Sequence, residues 1–396
     1  MVASKQKVLI IGGGFGGIKA ALELAGNRHY DVTLLSDHPD FRFYPTLYRT
    51  ATGASKNASS IPLSELFRNK NVTLVMAKAD KLNRESKKVV ATNGKTYSYD
   101  ILIVALGVVT NFFNIKGLEK YSFGIKTNQE AQRLRDHLHK QLADDGKPDL
   151  NYVVVGGGPT GVELAGILPH YLRHIMKKHG IKKHSFHVDL VEGAPRLLQR
   201  MPKDYSAAIA KNLRKEGVKL YLGQRVEAAS ADSLTFSGHS LASHTIIWTA
   251  GVTNHPFFNT NKFNVNERGK VVVDQYLSAE PDIYVIGDNA DTTYSGMAQT
   301  ALHDGHFVAA NLKRVAVGHT PRMYKPKKPI YVTPAGPRWA AVLWNNVHIY
   351  GSLGWAMRGA ADIMAYHDYE PWWRAAGHWM DGMHSGEECE TCRKHS

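Results

Sequence analysis

Cysteine is nearly absent from this chain. The two that occur, Cys389 and Cys392, lie in the last eight of 396 residues. No disulfide framework therefore staples the fold, and no thiolate before residue 389 can serve as a nucleophile or redox centre. Long apolar runs are missing too. No window of 18 or more apolar residues exists, which argues against a membrane-spanning helix. The first apolar strand begins at residue 8 and leaves no room for a secretory leader, so a location on the cytoplasmic side is expected. Acids are scarce relative to bases, 35 against 49, for a net charge of +14. That surplus suits an anionic partner such as nucleotide phosphates or an anionic membrane surface. Zinc-finger spacing, nucleic-acid motifs and a basic low-complexity tail are all absent, so nucleic acid is not expected as a partner.

What is present is organised around residues 7–24, KVLIIGGGFGGIKAALEL. The apolar run 8–11 reads as a buried parallel strand, and Ile18, Ala21, Leu22 and Ala25 share one face of a following helix. Between them Gly12, Gly14 and Gly17 stand at G-x-G-x-x-G spacing. The first glycine permits a tight turn, the second lets a pyrophosphate approach the backbone, and the third lets helix and strand pack closely. The free amides and positive dipole end of the helix then face the phosphates. With a strand in front and a helix behind, this is a dinucleotide site.

A second buried strand, DVTLLS at 31–36, follows. An acid about 20 residues beyond the glycines usually holds the adenosine ribose, and Asp37 is the candidate, although Ser36 occupies the strand end. The aromatic segment 41–53, FRFYPTLYRTATG with Pro45, either walls a planar ring system or packs as ordinary loop. A hairpin region with an Asn93-Gly94 turn leads to DILIVALG at 100–107, an apolar strand that stops at Gly107 and allows close approach to a cofactor.

The opening pattern then recurs at 151–168, NYVVVGGGPTGVELAGIL, with Gly156, Gly158 and Gly161 at the same spacing. Two such units argue for two dinucleotides in one chain. The strand HVDLVE ends on Glu192, which suits a ribose 2′-hydroxyl and favours NAD(H), while Arg196 nearby keeps NADP(H) open. A polar helix is expected over 128–144, and a long basic helix and loop over 168–184. The strand 283–286 delivers Gly287 and Asp288 at its carboxyl end, where ligands bind in open α/β sheets; an N-cap role for Asp288 is compatible with that. A helix over about 296–317 carries Gln299 and His303 on one face.

In order and spacing, GGGFGG, DILIVALG, GGGPTGVELAG, IIWTAGV and DIYVIGDNA resemble the flavoprotein reductases that bind two dinucleotides. The resemblance covers roughly residues 5–315. Within that superfamily, GVELAG with Glu163, FYPTLYRTATG, and the run Ala298-Gln299-Thr300-Ala301 look most like a type II NADH:quinone oxidoreductase. The resemblance implies FAD at Gly12, Gly14 and Gly17, with Asp288 at its ribityl chain, and NAD(H) at Gly156, Gly158 and Gly161. Phe15, Pro45, Ala79, Ala105, Gly107, Gly287 and Ala298 join the first set of cofactor contacts. Pro159, Thr160, Glu192 and Gly251 join the second. Glu163 would lie near the nicotinamide and Gln299 at the quinone end of the flavin. His303 stands where the family has a glutamine and could relay a proton. Thiol-dependent chemistry is excluded from the nucleotide domains, because neither contains a cysteine.

The expected fold is α/β. Two Rossmann-like domains (FAD, 1–115 and 265–325; NAD(H), 116–264) carry a small C-terminal α+β domain, 326–396. In that last domain Trp372, Ala376, Trp379, Met380 and Met383 fall on one helical face. Such a face suits a bilayer interface, with peripheral attachment to the inner side of the cell membrane, or equally a domain cap or homodimer contact. The tail pair Cys389 and Cys392, with His384 and His395 in reach, is left unassigned, and no metal site is expected. The expected reaction is two-electron transfer from NADH through FAD to a quinone. A reductase of a soluble carrier such as a ferredoxin, or a slow-turnover redox interaction protein, stand as alternatives.

Overall fold

The computed structural model describes residues 4–143, 150–181 and 184–383. The Cys389 and Cys392 tail, with His384 and His395, lies outside the described residues.

Alternation along the first strand builds the first domain. In Gln6–Ile11, Val8 and Ile10 point to one side and Leu9 and Ile11 to the other, and all four are buried. A strand apolar on both faces must be covered on both, which is the condition for a parallel sheet. The sheet orders its strands as Ser278–Glu280, Ile283–Val285, Ile101–Val104, Gln6–Ile11, Tyr30–Ser36 and Thr73–Met76. All pair in parallel except the edge strand Ser278–Glu280. Successive crossovers leave Gln6–Ile11 on opposite sides, so a crevice opens at its carboxyl end.

One face of this sheet carries the Phe15–Leu24 and Ala298–Ala316 helices. They approach so closely that a Cβ on Gly305 would stand 2.4 Å from the Gly16 carbonyl oxygen. The start of the later helix is thereby fixed beside the glycine loop.

The second domain repeats the plan inside the first, between residues 122 and 248. Its parallel sheet runs Ser122–Phe123, Thr245–Trp248, Asn151–Val155, His187–Glu192 and Val218–Leu222. The expected polar helix is Asn128–Ala143. The expected basic helix is not separate: one helix, Pro159–Lys178, runs through Pro169. An antiparallel pair, Val108–Thr110 with Val252–Asn254, links the two domains.

The C-terminal module is a three-stranded antiparallel sheet (Tyr331–Pro334, Ala340–Trp344, Val347–Gly351) followed by helices Ser352–His367 and Trp372–Asp381. It touches both domains. A Cβ on Gly166 would lie 2.6 Å from the Ala335 carbonyl carbon, and Tyr366 stacks on Phe43 at 4.2 Å.

The Trp372–Asp381 helix divides its apolar residues otherwise than its spacing suggests. Ala375 is buried and Trp379 packs inward against the first domain, whereas Trp372, Trp373, Met380 and Met383 are exposed. Among the described residues no helix is long and apolar enough to cross a membrane.

Candidate active site

The first glycine loop meets each demand of its spacing. Gly12 has φ +113°, and a Cβ there would fall 2.2 Å from the Ala105 carbonyl oxygen. One on Gly17 would fall 2.0 Å from the Gly12 oxygen, but one on Gly14 would meet nothing within 4 Å. The floor is closed and the rim is open. Gly14 caps the Phe15–Leu24 helix without a side-chain hydrogen bond, so the helix start presents bare amides. Phe15 turns inward against Phe41, Phe43 and Tyr369. Ala79 is buried at the start of the strand Ala79–Asn83, which pairs with Lys88–Ala91 in a separate antiparallel sheet.

Across the crevice, Asn289 fixes the end of the Ile101–Val104 strand. Its Oδ1 accepts from the Gly107 amide at 2.7 Å, and its Nδ2 donates to the Gly107 carbonyl at 2.6 Å. Asp288 precedes it. Burial raises the Asp288 carboxyl pKa, while the ammonium groups of Lys270 and Lys126 act in the opposite direction. Lys270 Nζ donates to Ser295 Oγ at 2.5 Å, and Ser295 Oγ donates to the Gly287 carbonyl at 3.0 Å. Lys126 is held at the crossing into the second domain by a capping box, in which Glu130 Oε2 accepts from its amide at 2.5 Å and from Thr127 N at 3.0 Å. Desolvation lowers both lysine pKa values. Neither lysine stands out in the sequence, because both reach Asp288 from distant segments.

The second loop copies the first. Gly156 has φ +114°, a Cβ on Gly161 would be 1.8 Å from the Gly156 oxygen, and one on Gly158 would meet nothing within 4 Å. Pro159 opens the helix, and with Thr160 it borders the open rim. Gly251, at φ +80°, lies against the Phe113 ring beside the interdomain link. Glu192 accepts from Gly157 N at 2.5 Å and from Ala194 N at 2.6 Å, which holds the carboxylate at the strand end. Arg196 is spent locally on the Met201 carbonyl, Ser206 Oγ and the Gln199 carbonyl.

The two loops also match at the ends of the strands that follow them. A Cβ on Gly157 would stand 3.0 Å from Glu192 Oε2, and one on Gly13 would stand 2.6 Å from Ser36 Oγ. Ser36 is thus the counterpart of Glu192. Asp37 turns outward, half exposed, toward His38 at 3.4 Å and Arg42 at 3.8 Å.

Glu163 is buried, and its Oε1 accepts from Arg358 Nη1 at 2.8 Å. Arg358 Nε donates to Asp362 Oδ1 at 2.8 Å, and Nη2 donates to the Pro45 carbonyl at 2.6 Å. Arg49 closes the chain on Asp362 at 3.1 Å and donates to Tyr48 Oη at 3.0 Å. One network therefore joins both nucleotide domains to the C-terminal module. Burial raises the Glu163 pKa against the pull of Arg358. Burial alone would lower the Arg358 pKa, but Asp362 and Glu163 more than reverse that. The sequence signal was available: Arg358 and Asp362 are the only charged residues in the helix Ser352–His367 and stand one turn apart.

Ala298 begins the helix that packs beside the first glycine loop, and Gln299 exchanges two hydrogen bonds with the backbone of Ile330, at 2.9 and 3.1 Å. His303 Nε2 meets the Lys325 carbonyl at 2.9 Å. Asp304, fully buried, accepts from Gly287 N at 2.9 Å and from the Tyr324 hydroxyl at 2.6 Å.

The sequence profile of the pyridine nucleotide-disulphide oxidoreductases matches residues 6–305. The chain belongs to this family. With membership come FAD and NAD(H) as cofactors, and the family's thiol chemistry has no cysteine to use in either nucleotide domain. The type II NADH:quinone oxidoreductase of Staphylococcus saprophyticus is 28% identical over 343 residues, covering 80% of this chain and 84% of the relative. That of Staphylococcus aureus is 27% identical over 346 residues, covering 81% and 85%. Among solved structures, NDH2 from Plasmodium falciparum in complex with NADH has a TM-score of 0.86 at 18% identity, over 96% of this chain and 98% of that one. The sulfide:quinone oxidoreductase of Aquifex aeolicus has a TM-score of 0.78 at 19% identity, over 94% and 92%. At these identities the two structures speak for the fold.

Proposed function

We propose that the protein transfers two electrons from NADH through FAD to a quinone, as the staphylococcal relatives are named for doing. The observation that carries this reading is a pair of open-rimmed dinucleotide loops in nucleotide domains without cysteine, which leaves flavin chemistry without a thiol relay. FAD, when bound, supplies the centre that takes hydride from the nicotinamide and passes electrons on. The chain's own residues position the reactants. The bare amides at Gly14 and Gly158 receive the two pyrophosphates. Asp288, between Lys126 and Lys270, binds the polar chain of the flavin cofactor. Glu192 accepts from the NADH ribose, and Arg196, occupied by its own loop, is not free for a 2′-phosphate. Glu163, oriented by Arg358, faces the nicotinamide side. Gln299 and His303 face the acceptor side, where His303 moves a proton.

Peripheral attachment to a membrane is supported by the helix Ser352–His367. Leu353, Ala356, Ala360 and Met364 form its exposed face, while its two charged residues are turned inward. Trp372 and Trp373 continue the apolar surface, as befits a helix lying at a bilayer interface.

The testing experiment is a spectrum. Anaerobic NADH should bleach the flavin absorption, and a short-chain quinone should restore it. Reoxidation by a protein carrier alone would reassign the acceptor, and bleaching without turnover would make the protein a redox-dependent binding module.

A further inference from the structure

The Ala298–Ala316 helix devotes one row of side chains, each four residues from the next, to a single segment of chain. Asn311 exchanges two hydrogen bonds with the Arg322 backbone, at 2.8 and 3.0 Å. Phe307 meets the Tyr324 ring edge-on at 5.1 Å. His303 bonds the Lys325 carbonyl, and Gln299 pairs with both backbone groups of Ile330. Residues 322–330 thus lie antiparallel along the helix, held through their backbone. They form no helix or strand, and Pro326 and Pro329 have no amide to donate. Tyr324 anchors the start of this segment further, its hydroxyl donating to Asp304 Oδ1 at 2.6 Å and its amide to the Gln275 carbonyl at 2.7 Å. Residues 325–328, by contrast, have their side chains in solvent, so that stretch opens at lower cost than the core.

The charge on this strap is one-sided. Arg322, Lys325, Lys327 and Lys328 are all exposed. No aspartate or glutamate occurs between Asp304 and Asp362, a stretch holding eight lysines and arginines. The strap runs directly into the strand Tyr331–Pro334, where the Val332 carbonyl faces Arg358 Nη1 at 3.5 Å. Arg358 belongs to the helix whose outer face is apolar and carries no charge. Cations without local counter-charges beside such a face complement an anionic lipid surface.

We propose that residues 322–330 are a lipid-sensing clasp. Anionic phospholipid headgroups engage Arg322, Lys325, Lys327 and Lys328 and loosen the strap's hold on Gln299 and His303, so the acceptor side opens at an anionic bilayer. This rests on the reading that the protein reduces quinone at a membrane. Each basic residue near an anionic leaflet strengthens attraction roughly fivefold, so four together discriminate strongly between charged and neutral lipid.

The test uses the FAD-loaded full chain with phosphatidylcholine vesicles, with and without phosphatidylglycerol. Co-sedimentation, turnover with a water-soluble quinone, and hydrogen exchange at the Ile330 amide are read together. Phosphatidylglycerol should strengthen binding at least about tenfold, raise turnover and speed exchange at Ile330. The K325E/K327E/K328E variant should lose all three responses while its flavin is still reduced by NADH at the wild-type rate. Equal binding to both vesicles, or unchanged Ile330 exchange on bound vesicles, overturns the clasp and leaves the quinone reading standing. Binding to neither vesicle overturns the membrane reading along with it.

Discussion

Arg358 meets Glu163 at 2.8 Å across the boundary between the C-terminal module and the second nucleotide domain. The same guanidinium holds Asp362 at 2.8 Å and the Pro45 carbonyl at 2.6 Å. Removing one partner of a buried pair leaves an uncompensated charge, which costs about 3–5 kcal/mol. Arg358→Met should therefore lower the unfolding free energy of the holoenzyme, read from urea denaturation, by that order. Arg358→Lys keeps the charge but not the planar fork, and should recover only part of the loss. A methionine variant as stable as wild type would show that the network does not hold the three parts together.

Nucleotide choice should follow Glu192. NADH should exceed NADPH in kcat/KM, and Glu192→Ala should narrow the ratio by roughly tenfold or more, as for a lost hydrogen bond to a charged group. Arg196→Ala should leave the ratio unchanged, because that guanidinium already serves residues 199–206. Equal use of both nucleotides by the wild type would remove Glu192 as the reader.

Asp37 should matter little to FAD. Half exposed and paired only loosely to His38 and Arg42, it resembles surface ion pairs worth about 0–1 kcal/mol. Asp37→Ala should change FAD affinity, measured by titrating the apoprotein, by less than about fivefold.

What was legible in the sequence was what backbone geometry dictates. The positions of Gly12, Gly17, Gly156 and Gly161 admit no Cβ, so their spacing announced both nucleotide loops and, with the flanking runs, both parallel sheets. Which side chain at the end of the Tyr30–Ser36 strand faces the glycine loop was harder to read. A shift of one residue at a strand end separates buried Ser36 from exposed Asp37, and spacing alone cannot resolve it. Arg49, Lys126, Lys270, Asn289 and Arg358 were missed because their partners are distant in sequence. The Trp372–Asp381 helix is apolar on its buried side, at Ala375 and Trp379, and on its exposed side, at Trp372, Trp373 and Met380. Periodicity therefore found a stripe without telling which edge faced inward.

That helix should also respond to pH. His378 Nε2 and Glu370 Oε2 meet at 3.0 Å. Burial alone would lower the imidazole pKa, but the contact with Glu370 and its charge, with smaller help from Asn57 and Asp381, together more than reverse this and raise it. A raised imidazole holds its proton more tightly folded than unfolded. Its stabilisation is whole below the unfolded value of about 6.5 and is lost as pH rises through the folded value. Hydrogen exchange in Trp372–Asp381, corrected for intrinsic rates, should speed up from about pH 6 to about pH 8. His378→Gln should flatten that dependence, and a wild-type profile already flat would refute the pairing.

The two half-reactions, followed by anaerobic stopped flow on wild type and Gln299→Leu, test the central claim most directly. NADH should reduce the flavin of both proteins at rates within about twofold, while quinone should reoxidise the variant at least about tenfold more slowly. Failure of NADH to reduce the wild-type flavin, or equal slowing of both half-reactions in the variant, would contradict a path from NADH on one side to quinone on the other.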